Sequence, residues 1–215
     1  PIFKKGSKTK AGNYRPVSLT CIPCKVMESL VRDTMLNHLD TTDAQHGFTS
    51  GRSCLTNLLE TLEDITKSLD EGYCVDIIYL DYQKAFDSVP HRRLVQKLRA
   101  YGIRGKVVQW IEDFLTGRKQ CVNIRGTSSQ LKDVISGVPQ GSVLGPILFL
   151  VYVNDLPDEM SSKVRLFADD CIIYREIKTE NDTRILQKDL KLLETWVTDW
   201  QMELHPQKCT SIIIT

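Results

Sequence analysis

Two adjacent carboxylates, Asp169 and Asp170, stand between two short apolar runs, Val164–Phe167 and Cys171–Tyr174. Apolar runs of this length around a short break predict a β-hairpin with the carboxylates at its tip. Water reaches a hairpin tip, and hard divalent cations such as Mg²⁺ prefer oxygen ligands. The pair therefore predicts a cation site. An exposed Asp-Asp turn is the alternative interpretation, because aspartate favours turns.

A third carboxylate, Asp81, ends another strand-like run, Val75–Leu80. If the two strand regions are neighbours in one sheet, three carboxylates converge at one end of it. Such a set suits two-metal phosphoryl transfer, in which ions about 3.5–4 Å apart clamp the attacking and leaving oxygens. The rest of the chain must then supply the elements that hold the substrate.

Composition places the chain among ordinary globular proteins, because 41% of its 215 residues are hydrophobic and 26% are charged. The formal net charge of +1 predicts no polyanion partner by itself. Its distribution is more informative, since six basic residues precede the first acid, Glu28. They are Lys4, Lys5, Lys8, Lys10, Arg15 and Lys25. A locally basic arm favours phosphate partners, with a solvated surface loop as the alternative.

Seven scattered cysteines favour a reducing compartment over a disulfide framework. The single CxxC pair, Cys21 and Cys24, has no partner pair with which to bind zinc. The longest apolar run, Val143–Val153, is shorter than the ~20 residues of a membrane span. No signal peptide opens the chain, so we expect an intracellular protein without a membrane partner. A start at Pro1 and an end within an apolar run suggest part of a longer polypeptide.

The elements that must position these residues follow from periodicity and turn signals. Helices are predicted over Cys24–Leu39, Cys54–Leu69, Arg92–Tyr101, Lys106–Leu115, the apolar run to Val153, and a long segment after the cap Thr179–Asp182. A hairpin is predicted around Gly126–Ser129 and a last strand over Thr210–Ile214. This order indicates an α+β domain with helices on one face of a small antiparallel sheet. The opposite face is expected to be open, which suits a sheet that receives a duplex.

Five motifs in order resemble the reverse transcriptases of non-LTR, LINE-type retrotransposons, in particular the jockey-like and chicken-repeat-like groups. They are Asn13–Leu19, Gln45–Ser53, Tyr79–Asp87, Ser136–Pro146 and Phe167–Asp170. Each motif alone is weak, whereas the ordered set covers essentially the whole chain. The resemblance implies the fingers and palm of a right-hand polymerase fold without its thumb. It implies fingers in residues 1–73 and palm in 74–215, with finger insertions around 92–136.

The resemblance implies that Asp81, Asp169 and Asp170, together with Tyr82, bind two Mg²⁺ ions, for which Mn²⁺ can substitute. One ion would lower the pKa of the primer 3′-hydroxyl, and the other would hold the triphosphate and stabilise departing pyrophosphate. Lys208 resembles the lysine proposed to protonate that pyrophosphate. The alternative is a solvated lysine, and His205 departs from the Asn common in the family.

The resemblance also implies a dNTP pocket. Its members would be Arg15, Lys84, Ala85, Phe86, Gln140 and Gly141. The guanidinium of Arg15 suits the incoming triphosphate because its fork matches phosphate oxygens. Phe86 stands where the family places an aromatic that blocks a 2′-hydroxyl, which would select deoxyribonucleotides. A core phenylalanine is the alternative for Phe86, and an ordinary Pro-Gln-Gly turn is the alternative for Gln140 and Gly141.

Five basic residues are interpreted as contacts to template phosphates, independent of sequence and sensitive to salt. They are Lys4, Lys5, Lys8, Lys10 and Arg52. A hybrid duplex would be held through its backbone and 2′-hydroxyls, not by reading bases.

These observations predict an RNA-directed DNA polymerase that extends a DNA 3′-end on an RNA template. The implied partners are element RNA, target DNA, dNTPs, and endonuclease and thumb regions of the same polyprotein. The expected location is the nucleus, the cytoplasm or both, as a ribonucleoprotein. A group II intron-type reverse transcriptase is one alternative, although Phe167 stands where that class usually has Tyr. A non-catalytic nucleic-acid-binding remnant is the other, and the intact motif residues argue against it.

Overall fold

A four-stranded antiparallel sheet lies at the centre of the computed structural model, which describes all 215 residues. Its strands are β3 (Cys74–Leu80), β8 (Lys163–Phe167), β9 (Asp170–Ile177) and β10 (Thr210–Ile214), in the spatial order β10–β3–β9–β8. The helices are α1 (Ile22–Leu36), α2 (Cys54–Asp70), α3 (Ala85–Ser88), α4 (His91–Ala100), α5 (Gly105–Leu115), α6 (Leu144–Val153) and α7 (Glu180–Asp199). The predicted α+β class is confirmed.

Short strands outside this sheet form three two-stranded pairs. They are β1 (Ile2–Phe3) with β2 (Tyr14–Arg15), β4 (Lys119–Gln120) with β7 (Lys132–Asp133), and β5 (Asn123–Ile124) with β6 (Thr127–Ser128). A 3₁₀ helix covers Ala11–Asn13. The predicted hairpin around Gly126 is present, and its two-residue turn consists of Arg125 and Gly126, both with positive φ. The first pair was not predicted, because two-residue strands leave no periodicity to detect.

The two faces of the central sheet are covered differently. Ile78 and Leu80 lie on the face under α6 and α7, within or against the main hydrophobic core. Val75 and Ile77 lie on the other face, where α2 packs against the sheet. The expectation of an open face is therefore wrong where α2 covers the sheet. This face is open towards the end of β3, where Tyr79 is 43% exposed, and at the edge strand β10, where Ile212 is 44% exposed.

Helix α6 forms the centre of the main core, since every residue of it except Pro146 is buried. An apolar run without helical periodicity predicts burial all round, and this prediction is confirmed. The helix follows directly on the loop 136–141, so a rigid core element fixes one side of that loop. No helix in the chain combines the length and the apolar character that crossing a membrane requires.

The residues that begin α7 and that follow α4 and α5 are of the types that cap helices in general. Thr179 and Asp182 form a capping box at the start of α7, in which the Thr179 N–H donates to the Asp182 carboxylate at 3.0 Å. Gly102 and Gly117 follow α4 and α5 with positive φ, as residues that end helices do. These boundaries match within one to three residues because backbone chemistry close in sequence sets them.

Candidate active site

The three predicted carboxylates lie at one end of the central sheet. Strand β3 pairs with β9 through Leu80 and Cys171, so Asp81 follows the last pair and Asp170 precedes it. Asp169 stands in the β8–β9 turn, one residue before β9 begins. The antiparallel arrangement of neighbouring strands thus brings residues 88 positions apart in the chain to one edge. The sequence predicted this convergence on the condition that the two strands are neighbours, and that condition is met.

Lys208 lies at the same end of the sheet. Its ammonium is 2.8 and 3.0 Å from the two carboxylate oxygens of Asp81. Strand β10 pairs antiparallel with β3, so the residues before β10 return to the end of β3. The His205 N–H fixes this segment further by donating to the Asp81 carbonyl at 2.8 Å. Lys208 is therefore an ion-pair partner of a predicted metal ligand, not an isolated solvated lysine.

The electrostatics of the site raise the pKa of Asp169 above its usual value. Burial is the main cause, and the neighbouring charges of Asp170 and Asp81 act in the same direction. The Asp169 backbone N–H and the Arg15 guanidinium oppose the shift. Mutual repulsion among three carboxylates is the physical reason such a set binds a cation well.

The donor set fits a hard divalent cation by its chemistry, because Asp81, Asp169 and Asp170 offer only carboxylate oxygens. Nowhere in the structure, however, do three or more His, Cys, Asp or Glu side chains surround one point closely enough to hold a metal ion. Lys208 supplies the positive charge next to Asp81. The side chain of Tyr82 is buried with its hydroxyl unpaired inside the protein, so that hydroxyl does not take part in the carboxylate edge.

The loop 136–141 packs against helix α3 on one side and the N-terminal arm on the other. Gln140 donates from Nε2 to the Asp87 carboxylate at 2.9 Å, and its carbonyl accepts the Ser18 N–H at 2.7 Å. Gly141 has φ +92°, and a Cβ there would lie 2.8 Å from the Ser18 carbonyl oxygen. Glycine is required at this position because the arm approaches the loop backbone so closely.

Phe86 lies at the boundary between the core and the surface. Its ring stacks on Phe149 with 4.4 Å between centroids, and the edge of Phe48 approaches it at 6.4 Å. The side chain is partly buried against the main core. Both interpretations of Phe86 are thus compatible with its place, since one side of the ring packs inside and the other remains accessible.

The other predicted nucleotide residues are distributed around this centre. Lys84 is exposed with φ +51°, and Ala85 is buried at the start of α3. Arg15 is exposed, and its charge acts on Asp169. The arm is thereby close enough to the carboxylates for electrostatic influence.

The predicted phosphate contacts differ in their surroundings. Lys4, Lys5, Lys8 and Lys10 are exposed, and none is within ion-pair distance of an acid. Arg52 instead bonds Asp43 at 2.6 Å and approaches the Gln45 carbonyl at 3.4 Å. The four lysines are free to meet a polyanion, whereas Arg52 already has partners within its own loop.

Two residues next to the site were not among the predicted site residues. Gln45 bonds the backbone of the Asp169 hairpin, and Glu28 bonds the start of α6. Both are completely buried. Gln45 lies in one of the five family-like motifs, so a polar residue in a glycine-marked loop was the available signal. Glu28 gave no signal, because an isolated glutamate on a helix is usually solvated.

The sheet, the helices behind it and the carboxylate edge define a right-hand polymerase fold. Telomerase from Candida tropicalis in complex with a telomeric RNA fragment superimposes with a TM-score of 0.65 at 14% identity, over 86% of this chain and 33% of that chain. Telomerase from Candida albicans gives a TM-score of 0.59 at 12% identity, over 90% of this chain and 33% of that one.

Residues 2–213 match the family of reverse transcriptases (RNA-dependent DNA polymerases), and the chain belongs to that family. Among Drosophila melanogaster proteins, it is 30% identical to a probable RNA-directed DNA polymerase from transposon BS, over 96% of this chain. It is 29% identical to the RNA-directed DNA polymerase from mobile element jockey, over 98% of this chain. The resemblance to LINE-type enzymes is thereby confirmed. The chain spans about a quarter of the length of these relatives, 24% in each case.

Proposed function

We propose that this chain forms the catalytic centre of an RNA-directed DNA polymerase of a non-LTR retrotransposon. It would add deoxyribonucleotides to the 3′-hydroxyl of a DNA primer paired with an RNA template. The observation that carries the proposal is the position of Asp81, Asp169 and Asp170 at one sheet edge in a chain of this family. The named relatives are themselves RNA-directed DNA polymerases, which supports the same reaction here.

Asp81, Asp169 and Asp170 would hold the divalent ions, with Mg²⁺ as the proposed species. Bound there, the ions would activate the primer hydroxyl and neutralise charge on the triphosphate and on departing pyrophosphate. Lys208 would release Asp81 when cations occupy the edge, and its ammonium could then donate a proton to the pyrophosphate. Tyr82 would contribute through its backbone alone, because its side chain is buried.

The nucleotide would lie against the surface that the loop 136–141 and the N-terminal arm form together. Arg15 would bind the triphosphate from the arm, and Gln140 and Gly141 would face the nascent base pair. Phe86 would exclude a 2′-hydroxyl by occupying the space beneath the sugar. Lys84 and Ala85 precede Phe86 in the same turn and would shape the pocket floor.

The four free lysines of the N-terminal segment would neutralise template phosphates. Arg52 would add to this surface only if it exchanged its bond to Asp43 for a phosphate. We further propose the division into fingers, residues 1–73, and palm, residues 74–215. The implied setting is a nuclear or cytoplasmic ribonucleoprotein with target DNA, in a polyprotein that also carries endonuclease and thumb regions.

Asp169→Asn tests the proposal in the full-length polypeptide that contains this chain. We expect primer extension on an RNA template with Mg²⁺ and dNTPs to fall about 1000-fold or more, because losing a metal ligand removes several kcal/mol of transition-state stabilisation. Folding and RNA binding should change little. Asp70→Asn is the matched control, since Asp70 is exposed at the opposite end of β3.

Full synthesis by Asp169→Asn would remove Asp169 from the mechanism. If neither the parent nor any variant synthesises DNA while all bind RNA in a salt-sensitive manner, the chain is instead a non-catalytic nucleic-acid-binding remnant. Loss of synthesis in Asp169→Asn alone would support both the polymerase activity and the metal role.

A further inference from the structure

We infer that Gln45 is a positioning residue, which holds the backbone of the hairpin tip and with it Asp169, the carboxylate that would bind the divalent ion. This inference rests on the proposed polymerase function and extends it to a residue remote in sequence. Gln45 lies 123 positions before Ala168, in the loop between α1 and α2.

The Gln45 side chain makes two short hydrogen bonds and one longer contact with the backbone. Its Oε1 accepts the Ala168 N–H at 2.9 Å and the Gly47 N–H at 2.7 Å. Its Nε2 approaches the Ala168 carbonyl oxygen at 3.4 Å, a weak contact at most. One amide thus joins the loop that carries it to the residue immediately before Asp169.

Burial makes these bonds consequential. Gln45 is 1% exposed, so water cannot replace the amide if it is removed. Ala168 has φ +56°, a left-handed conformation that a residue with a Cβ adopts at a cost in free energy. The surrounding structure must therefore stabilise this conformation, and the bond from the Ala168 N–H to Gln45 is one interaction that does so.

The loop backbone follows the hairpin over several residues. The Leu166 N–H donates to the Ala44 carbonyl at 2.8 Å, and the His46 N–H donates to the Leu166 carbonyl at 2.9 Å. A Cβ on Gly47 would lie 2.3 Å from the Ala168 nitrogen. The loop and the hairpin tip are thus in direct backbone contact, and only glycine fits at the point of closest approach.

The consequence concerns where the Asp169 carboxylate stands relative to Asp81. Asp81 directly follows the paired strand β3 and its carbonyl accepts the His205 N–H, whereas Asp169 lies in the turn between β8 and β9. A turn held only at its ends would let the carboxylate move, and metal affinity depends on ligand placement. Bonds that orient a ligand without touching the metal typically change metal affinity 10- to 100-fold when they are removed.

Gln45→Met is the variant that isolates the amide, because methionine has a similar length and no strong acceptor. We expect the affinity of the chain for Mn²⁺, measured without substrate by the paramagnetic resonance of free Mn²⁺, to fall about 10-fold. The matched control is Asn57→Leu. Asn57 donates from Nδ2 to the Leu166 carbonyl at 2.9 Å, so it supports the same hairpin away from the tip.

Both variants should lower the melting temperature, but Asn57→Leu should leave Mn²⁺ affinity within about 2-fold of the parent. Parent-like Mn²⁺ affinity in Gln45→Met would overturn the inference, and so would an equal loss in Asn57→Leu. The variant Asp169→Asn distinguishes a failure of this inference from a failure of the proposed metal site. If it binds Mn²⁺ as the parent does, the metal site itself is refuted, and the inference with it.

A measurement on the unmodified chain covers the case in which Gln45→Met does not fold. We expect the Ala168 amide to exchange its hydrogen at least about 100-fold more slowly than an unstructured amide, because it is bonded in a buried place. Exchange at the unstructured rate would show that the Gln45 bond is absent and would overturn the inference.

Discussion

At the scale of single residues, Phe86 illustrates how position and packing combine. The sequence left two interpretations, a sugar gate and a core residue, and the ring in fact stacks on buried Phe149 while staying partly exposed. A rigid backing is what a steric gate requires, because a mobile ring would give way to one extra oxygen. The same packing that makes Phe86 a core residue therefore also suits it to exclude a hydroxyl.

Phe86→Val should admit ribonucleotides about 10- to 100-fold more readily relative to deoxyribonucleotides, because the smaller side chain opens space beneath the sugar. The ratio of kcat/KM for a dNTP and its rNTP measures this. Phe114→Val is the matched control, since Phe114 is a partly buried ring stacked on Trp110 at 5.3 Å, outside the site. Unchanged sugar selection in Phe86→Val would return Phe86 to a purely structural role.

At the scale of elements, the start of α6 depends on a side chain from α1. The Glu28 carboxylate accepts the N–H groups of Val143 and Leu144 at 2.8 and 3.0 Å. These are among the N–H groups that a helix start leaves without intrahelical partners, and the negative charge also favours the positive end of the helix dipole. Glu28 thus fixes the point at which the loop 136–141 becomes the core helix.

Glu28→Ala should lower the free energy of unfolding by about 2–3 kcal/mol, because two buried N–H groups lose their acceptor. Glu28→Gln keeps one neutral acceptor, so its free energy of unfolding should fall by roughly half as much. Urea denaturation measures both. Glu63→Ala on α2 is the control, because Glu63 is exposed and makes no ion pair. Equal effects in Glu28→Ala and Glu63→Ala would contradict the capping role.

Helical periodicity did not determine which side of α2 is buried. Six apolar residues recur at helical spacing along this helix, namely Leu55, Leu58, Leu59, Leu62, Ile65 and Leu69. In the structure the last two pack on the sheet, while the four leucines are between 48% and 62% exposed. A periodic pattern predicts that a face can be covered, but tertiary structure decides whether this chain covers it.

At the scale of the whole molecule, Lys97 joins three helices of the main core. It is 3% exposed on α4, and its ammonium bonds Asp155, just after α6. The ring centroids of Trp200 and Trp196, at the end of α7, lie 3.9 and 4.7 Å away. The Lys97 ammonium therefore connects helix α4 to the end of α6 and to the end of α7.

Lys97 should make stability depend on pH in the alkaline range. Burial lowers its pKa from 10.5 to about 8, although Asp155 opposes the shift. Between these values the unfolded chain binds more protons than the folded one, so the free energy of unfolding rises with pH. We expect the free energy of unfolding of the parent, minus that of Lys97→Met, to rise by about 2 kcal/mol from pH 8 to pH 10. Urea titrations at several pH values measure this difference. Parallel curves for the two proteins would contradict this prediction.

The sequence alone determined the features that depend on neighbouring residues. The cap of α7 and the ends of α4 and α5 were predicted because a few adjacent side chains fix the local backbone, whereas β9 extends three residues beyond the apolar run that predicted it. The family and the three carboxylates were also readable, since their motifs occur in order along the chain. The convergence of the carboxylates, by contrast, depended on the pairing of β3 with β9.

Tertiary structure decided the contacts between residues far apart in the chain. Lys208 meets Asp81 across 127 positions, and Gln45 meets Ala168 across 123. Likewise, only packing shows that Glu28 is buried while the α2 leucines are exposed. The physical reason is that side-chain burial and buried hydrogen bonds depend on which surfaces meet, and a linear pattern does not contain that information.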